Sequence, residues 1–302
     1  MKLNPIFESS ARRRMRTGRT ALILTAYLAA LLAFALSRLS PFLGQGVTVG
    51  TMRLATEAYI WLTAMQLALI VVVAPALSAV SIAGERERQT FDLLLVTGVG
   101  TRRIVLGKLM ESFAFVALVI VSGAPVMMLA HVTAGIPAVQ VLATIGYLLA
   151  IALEALAVGM VCSALCSRTI SAVVLTYLAI VLLGGGAWVL AKHGPFAAHY
   201  TYESLRALNG MSPLKVLMGM PLPVFFCPTV GLVSLLAQQT GILHTTMQST
   251  LRLFDIYSAM KAAGFGATAL ACLGATCAGT VLLTALAMCI VHMKTGFPYR
   301  NG

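Results

Sequence analysis

The fold is decided by the stretch that spans residues 81–108, S-I-A-G-E-R-E-R-Q-T-F-D-L-L-L-V-T-G-V-G-T-R-R-I-V-L-G-K. Six of its charged residues flank a short amphipathic piece, residues 90–96: Glu85, Arg86, Glu87, Arg88, Arg102 and Arg103. Apolar runs of about twenty residues stand on both sides, and a helix of that length crosses the ~30 Å hydrocarbon core of a bilayer. The stretch therefore predicts a charged loop between two membrane-spanning helices.

The composition places the whole chain among the polytopic α-helical membrane proteins. Of 302 residues, 59% are hydrophobic and 10% are charged, with a mean hydropathy of +0.93, whereas soluble domains carry about 25% charged residues. The apolar runs are continuous and do not alternate, which excludes a β-barrel. The net charge of +12 is interpreted as basic loops that obey the positive-inside rule, with no nucleic acid as partner. The cysteines lie mostly in apolar runs and are interpreted as packing residues, with no metal site.

Hydropathy predicts six spans, and the connecting segments predict the organisation around them. The spans are predicted at about residues 20–37, 58–82, 104–131, 141–166, 170–191 and 262–293. Residues 1–19 form a basic amphipathic helix in the membrane interface, residues 20–191 hold spans one to five with a loop at 83–103, residues 192–261 form an external segment, and residues 294–302 form a tail. The apolar piece 222–237, interrupted by prolines, is interpreted as re-entrant rather than as a seventh span. Fourteen Lys and Arg residues then lie on the side of the termini and seven on the other side, which predicts that both termini are cytoplasmic.

Glu154 is the main candidate for chemistry inside the membrane. It stands near the middle of the fourth predicted span, where a carboxylate costs about 2.5–3.5 kcal/mol on insertion scales. Two interpretations stay open: a contact for a cation, a proton or a polar substrate, and a packing hydrogen bond to a Ser, Thr or Tyr of a neighbouring span. Nearer the loop, Glu111 is expected to pair with Lys108 or Arg103.

The chain carries no nucleotide site that its sequence reveals. Gly107-Lys108 ends like a phosphate loop, but the earlier glycine is missing and Leu109 replaces the Ser or Thr that would hold magnesium. The amphipathic piece has Phe91, Leu94 and Leu95 on one helix face. Because so short a helix does not hold itself in water, it requires a surface on which to pack.

The segments E-R-E-R-Q-T-F-D-L-L-L-V-T and R-R-I-V-L-G-K-L resemble the first cytoplasmic loop of permease subunits of ABC transporters, of the type-2 exporter class. The opening N-P-I-F-E with R-R-R-M-R-T, and the layout of six spans with a long external segment before the last, are similar to that class as well. The resemblance implies an inner-membrane permease that is not itself an enzyme. It also implies a separate ATP-binding subunit that holds ATP and magnesium, and a second permease subunit, identical or not.

The resemblance also assigns a coupling helix, which docks in a cleft of the ATP-binding subunit. The residues that carry this role over to the present chain are Glu85, Arg86, Glu87, Thr90, Phe91, Asp92, Leu94 and Leu95. Gln89 departs from the glycine usual in that family, and Gly98 departs from a common proline. The alternative function is a membrane-embedded, transferase-like enzyme that uses Glu154 with external groups: His193, His199 and Glu203.

Overall fold

The computed structural model describes residues 18–45, 49–90, 100–193 and 265–296, together with Leu232, Leu235 and Leu236. This part of the chain is 94% helical and has no strands, which confirms the all-α class. Its helices are α1 (Gly18–Gln45), α2 (Val49–Glu87), α3 (Thr101–Ser122), α4 (Ala124–Ala134), α5 (Ala138–Leu165), α6 (Thr169–His193) and α7 (Phe265–Gly296).

Four helical segments of the described chain are long and apolar enough to cross a membrane, as expected of an integral membrane protein. They are Leu54–Glu87 of α2, Thr101–Ala134 of α3 and α4, Ala138–Leu165 (α5) and Gly266–Lys294 of α7. They correspond to the second, third, fourth and sixth predicted spans. The first and fifth predicted spans fall on α1 and α6, whose apolar stretches Leu24–Arg38 and Thr169–Leu183 are shorter.

Helix α5 is the centre of the bundle. In its most apolar window 67% of the residues are buried, against 33–39% in the other three candidate spans. It packs against α2, α3, α6 and α7. A helix that is apolar on all sides is expected to be surrounded by protein, and α5 therefore sets the positions of its neighbours.

The contact between α2 and α5 is close because α5 presents small residues there. A Cβ added to Gly159 would overlap the Ser78 hydroxyl and lie 2.8 Å from the Pro75 carbonyl oxygen. One turn further on, the Ser163 hydroxyl accepts hydrogen bonds from the N–H groups of Ile82 (3.0 Å) and Ala83 (2.9 Å). Small side chains let helix backbones approach each other inside a membrane, and this approach brings the ends of α2 and α5 together.

Two helix boundaries differ from the sequence prediction. Helix α1 continues past the predicted end of span one, through Pro41, to Gln45. Because Pro41 has no N–H, it leaves the Ser37 carbonyl free, and the Ser40 hydroxyl donates a hydrogen bond to that carbonyl at 3.1 Å. Helix α2 continues past residue 82 to Glu87. The charged residues 85–87 therefore form its last turn and do not belong to the loop.

The third predicted span is interrupted. Helix α3 ends at Ser122 and α4 begins at Ala124, with Gly123 between them. Pro125 has no N–H to continue the hydrogen-bond ladder, which accounts for the break at this position. The break lies beside Gln66 of α2, since a Cβ on Gly123 would overlap the Gln66 amide nitrogen.

Candidate functional site

The last turn of α2 is the centre of a polar cluster, and its first contact is with α3. The Glu85 carboxylate forms an ion pair with the Lys108 ammonium at 2.6 Å, and their side chains are 24% and 12% exposed. Because both groups are partly removed from water, the pair is screened less than a surface salt bridge. Lys108 thus pairs with Glu85 and not with Glu111, so the first of the two partners expected for Glu111, Lys108, was wrong; the second, Arg103, stays a prediction.

The second contact is with the C-terminal end of α5. Arg86 Nη1 donates to the Ala164 carbonyl at 2.7 Å. Lys294, at the end of α7, donates to the same carbonyl at 3.0 Å and to the Leu165 carbonyl at 2.5 Å. The last carbonyls of a helix have no partners inside it and carry partial negative charge, so cations stabilise them. Two helices are thereby joined to the end of a third.

The third contact is with the beginning of α6. Glu87 Oε2 accepts hydrogen bonds from the Thr169 N–H (2.9 Å) and from the Thr169 hydroxyl (2.5 Å). A carboxylate at a helix N-terminus satisfies a free N–H group and interacts favourably with the positive end of the helix dipole. Three successive residues of α2 therefore contact three different helices.

Helix α2 ends in a backbone motif that turns the chain away from the cluster. The Gln89 N–H donates to the Arg86 carbonyl (3.0 Å) and the Thr90 N–H donates to the Glu85 carbonyl (3.0 Å). These are the two hydrogen bonds of a Schellman motif, in which the residue after the helix adopts the left-handed conformation. Gln89 has a φ of +58°, at the position where the permease loops that this sequence resembles usually have glycine.

A cavity of about 820 Å³ opens beside this cluster, between α2 and α3. Its polar lining includes Glu85, Glu87, Glu111, Arg88 and Lys108. Within the described residues, no group of three or more His, Cys, Asp and Glu side chains is arranged to hold a metal ion. The described lining of the cavity thus carries carboxylates and cationic side chains side by side.

The structure brings together the first half of the predicted coupling set. Glu85, Arg86, Glu87 and Thr90 lie within one turn and its cap, and Arg88, Gln89 and Thr90 are exposed. The remaining predicted residues fall in residues 91–99, outside the described part of the chain: Phe91, Asp92, Leu94 and Leu95. The external groups of the alternative function, His199 and Glu203, also lie outside it, and His193 is the last residue of α6.

Glu154 lies on α5 and faces α7. A Cβ on Gly279 of α7 would be 3.7 Å from Glu154 Oε1. Its Oε2 is buried and has no hydrogen-bond partner in the described part of the structure. The packing hydrogen bond of the second interpretation is not seen among these residues.

Sequence reasoning missed Lys294, Thr169 and Gln66. Lys294 in a last helical turn and Thr169 at a helix start are both recognisable signals, but their partners lie more than eighty residues away along the chain. Gln66 is a polar residue within an apolar run, and polar residues inside candidate spans often have a function. It is 1% exposed and lies beside the Tyr27 hydroxyl, but neither atom of its amide makes a hydrogen bond of good geometry with the described residues.

Comparison of the chain with protein-family models and with curated proteins finds no match.

Proposed function

We propose that this chain is the membrane-embedded permease subunit of an ATP-driven ABC exporter of the type-2 class. In this proposal it forms the substrate path and is driven by a separate ATP-binding subunit that docks on the first cytoplasmic loop. The loop sequence supports the proposal through its resemblance to the coupling loop of that class.

The observation that carries the proposal is the set of contacts made by residues 85–87. A loop that receives force from a partner must be connected to the helices that move. Through Lys108, Ala164 and Thr169, the last turn of α2 reaches α3, α5 and α6, and Lys294 adds α7. A displacement of the loop would therefore be passed to four helices at once, because packed elements move as rigid bodies.

We propose that the predicted coupling residues divide into two groups. Glu85, Arg86 and Glu87, which contact neighbouring helices of the same chain, would transmit force. The exposed Thr90 would belong with the other predicted residues, Phe91, Asp92, Leu94 and Leu95, to the surface offered to the partner. A short amphipathic helix held in a groove is a common mode of recognition between proteins.

The type-2 exporter class implies further properties, which are part of the proposal. They include six spans, both termini in the cytoplasm, residence in the inner membrane and a second permease subunit of the same or a different sequence. ATP and magnesium are bound by the partner ATPase, and this chain holds no cofactor. The unpartnered Glu154 carboxylate lies beside the path as a candidate contact for a cationic or hydrogen-bonding substrate.

The docking test uses the full-length chain, purified in mild detergent from the cells that produce it. Leu94→Ala is expected to lower the amount of co-purified ATPase about tenfold, since truncating a central apolar contact typically costs 1–2 kcal/mol. Leu270→Ala is the matched control, because Leu270 is 71% exposed on α7 and outside the loop. Equal ATPase recovery with both variants would sink the docking assignment.

A second variant tests transmission separately from docking. Glu87→Gln weakens the contact with Thr169 but leaves the residues after 90 unchanged. The ATPase should still co-purify, while vanadate-sensitive ATP hydrolysis in proteoliposomes loses its response to transported substrate, screened over a lipid, drug and peptide panel. Unchanged coupling in this variant would contradict the transmission role of residue 87.

The alternative, a transferase-like membrane enzyme, is favoured by one observation, the unpartnered carboxylate of Glu154. It predicts group transfer by the purified chain without ATP and without a partner subunit, abolished by Glu154→Gln. Detection of such an activity would replace the permease proposal.

A further inference from the structure

A second cavity lies at the charged end of the bundle, between the first turn of α3 and the last turns of α7. It has a volume of about 790 Å³, within the usual range for ligand pockets. One part of its lining is apolar, with Leu106, Ala285 and Met288, and the other part carries the two cationic side chains Arg102 and Arg103, with His292 beside them. The described residues of this lining include no carboxylate, in contrast to the cavity beside residues 85–87.

The cationic part is suited to an anion. Arg102 and Arg103 are exposed, and Arg102 forms no hydrogen bond or ion pair with the described residues. Helix α3 begins at this point without a side-chain cap on Gly100, and its intrahelical bonds start only at Arg103. The N–H groups of Thr101 and Arg102 therefore add the positive end of a helix dipole to the two guanidinium groups.

The apolar part continues into exposed apolar side chains on the candidate spans. Leu106 is 43% exposed and Leu286, next to Ala285, is 49% exposed. A free phosphate ion would fill the cationic part and leave this surface bare. A molecule with a negative headgroup and apolar tails would cover both parts, and basic pockets between transmembrane helices are a known form of headgroup site.

We propose that this cavity binds one anionic phospholipid of the surrounding bilayer. Its phosphate lies at Arg102, Arg103 and the N-terminus of α3, and its acyl chains run along Leu106, Ala285 and Met288. The lipid joins α3 to α7 at the end where Lys294 also holds α7 to α5. This inference does not depend on the proposed transport function.

The binding test is native mass spectrometry of the full-length protein in detergent. Phosphatidylglycerol and phosphatidylcholine with the same acyl chains are titrated in parallel, and phosphatidylglycerol is expected to bind at least tenfold more tightly. Each arginine near a lipid headgroup contributes about 1 kcal/mol, or about fivefold in affinity. Arg102→Gln should therefore lower phosphatidylglycerol binding about fivefold, and Arg102→Gln with Arg103→Gln about twenty-five-fold.

The matched control is Arg168→Gln, which removes the same charge at the same end of the bundle. Arg168 is exposed and does not line the cavity, so its substitution should leave the preference for phosphatidylglycerol unchanged. If Arg168→Gln and Arg102→Gln lower binding equally, the lipid is attracted by overall charge and the site is refuted. Equal binding of the two lipids to the unaltered protein refutes it as well.

A labelling experiment locates the lipid without any substitution in the site. Cys289 lines the cavity, whereas Cys277, also an exposed cysteine of α7, does not. Phosphatidylglycerol is expected to slow modification of Cys289 by N-ethylmaleimide at least threefold, measured by peptide mapping, and to leave Cys277 unaffected. Equal slowing of both cysteines, or equal protection of Cys289 by glycerol phosphate without acyl chains, would overturn the proposal.

Discussion

At the charged end of the bundle, Glu85, Arg86 and Glu87 each contact a different helix. Inside the candidate spans, by contrast, Gln66 and Glu154 have buried polar atoms that make no hydrogen bond with the described residues. At the charged end each of the three side chains has a partner on another helix, although Glu85 Oε2 is buried without one. In the second region Gln66 is 1% exposed and Glu154 Oε2 is buried, and an unpaired polar group costs most where water is excluded.

This comparison indicates that paired and unpaired polar residues of this chain have opposite effects on stability. Removing one member of a satisfied pair leaves its partner without a hydrogen bond and destabilises the fold. Removing a buried polar group that has no partner relieves a cost that the fold already carries, and such groups are retained at sites of function. Substitutions in the two regions should therefore shift the free energy of unfolding in opposite directions.

The largest effect is expected for Arg86→Ala at the charged end. It removes a charge-assisted hydrogen bond to the Ala164 carbonyl, which should lower the free energy of unfolding by about 2 kcal/mol. The measurement is unfolding of the purified protein by titration with sodium dodecyl sulfate.

Arg88→Ala is the matched control for Arg86→Ala, because Arg88 is exposed and its side chain makes no hydrogen bond or ion pair with the described residues, its backbone N–H being bonded to the Gly84 carbonyl. It should change stability by no more than about 0.5 kcal/mol. Equal losses in the two variants would mean that residue 86 acts through net charge and not through its contact with α5.

A smaller effect of opposite sign is expected for Gln66→Leu in the membrane interior. Leucine has a similar volume and needs no hydrogen bond, so the variant should be more stable by about 1 kcal/mol in the same titration. Under the proposed permease function, an amide that lines the substrate path would make substrate transport fall although stability rises.

Tyr59→Phe is the contrasting control in the same interior. The Tyr59 hydroxyl is buried and donates to Thr144 Oγ1 at 2.8 Å, so its removal should destabilise the protein by about 0.6 kcal/mol, the average for hydrogen bonds between membrane helices. Destabilisation by Gln66→Leu as well would show that the Gln66 amide is satisfied, and the contrast between the two regions would be lost.

The smallest effect concerns the junction between the cluster and the loop. Gln89 adopts a φ of +58°, a conformation that costs a non-glycine residue about 1–2 kcal/mol, whereas glycine loses about 0.5–1 kcal/mol in chain entropy. Gln89→Gly should therefore stabilise the protein by about 0.5 kcal/mol, measured as a rise in the midpoint of thermal unfolding. Gln89→Ala keeps the strain and should give no rise. An equal rise in both variants would show that the side chain, not the backbone, limits stability there.

Local sequence signals predicted the parts of the structure that depend on neighbouring residues. The apolar runs predicted helical candidate spans on both sides of the stretch 81–108, whereas the break between α3 and α4 near Pro125 was not predicted. Hydropathy ended the first predicted span at residue 37, but α1 continues through Pro41 because the Ser40 hydroxyl satisfies the carbonyl that Pro41 leaves free. The partner of Lys108 was missed for a related reason, since Glu111 is nearer along the chain and Glu85 is nearer in space.

By itself, the sequence determined that this protein is helical, apolar enough for a membrane and divided by a charged stretch, because hydropathy and helix periodicity are properties of contiguous residues. Only the tertiary structure decided that residues 85–87 belong to the last turn of α2 and contact three helices, and that Arg102 and Arg103 stand above an apolar cavity beside α7. The physical reason is that Gly159 and Ser163 let α2 approach α5 closely, and such packing joins residues that are far apart in the chain.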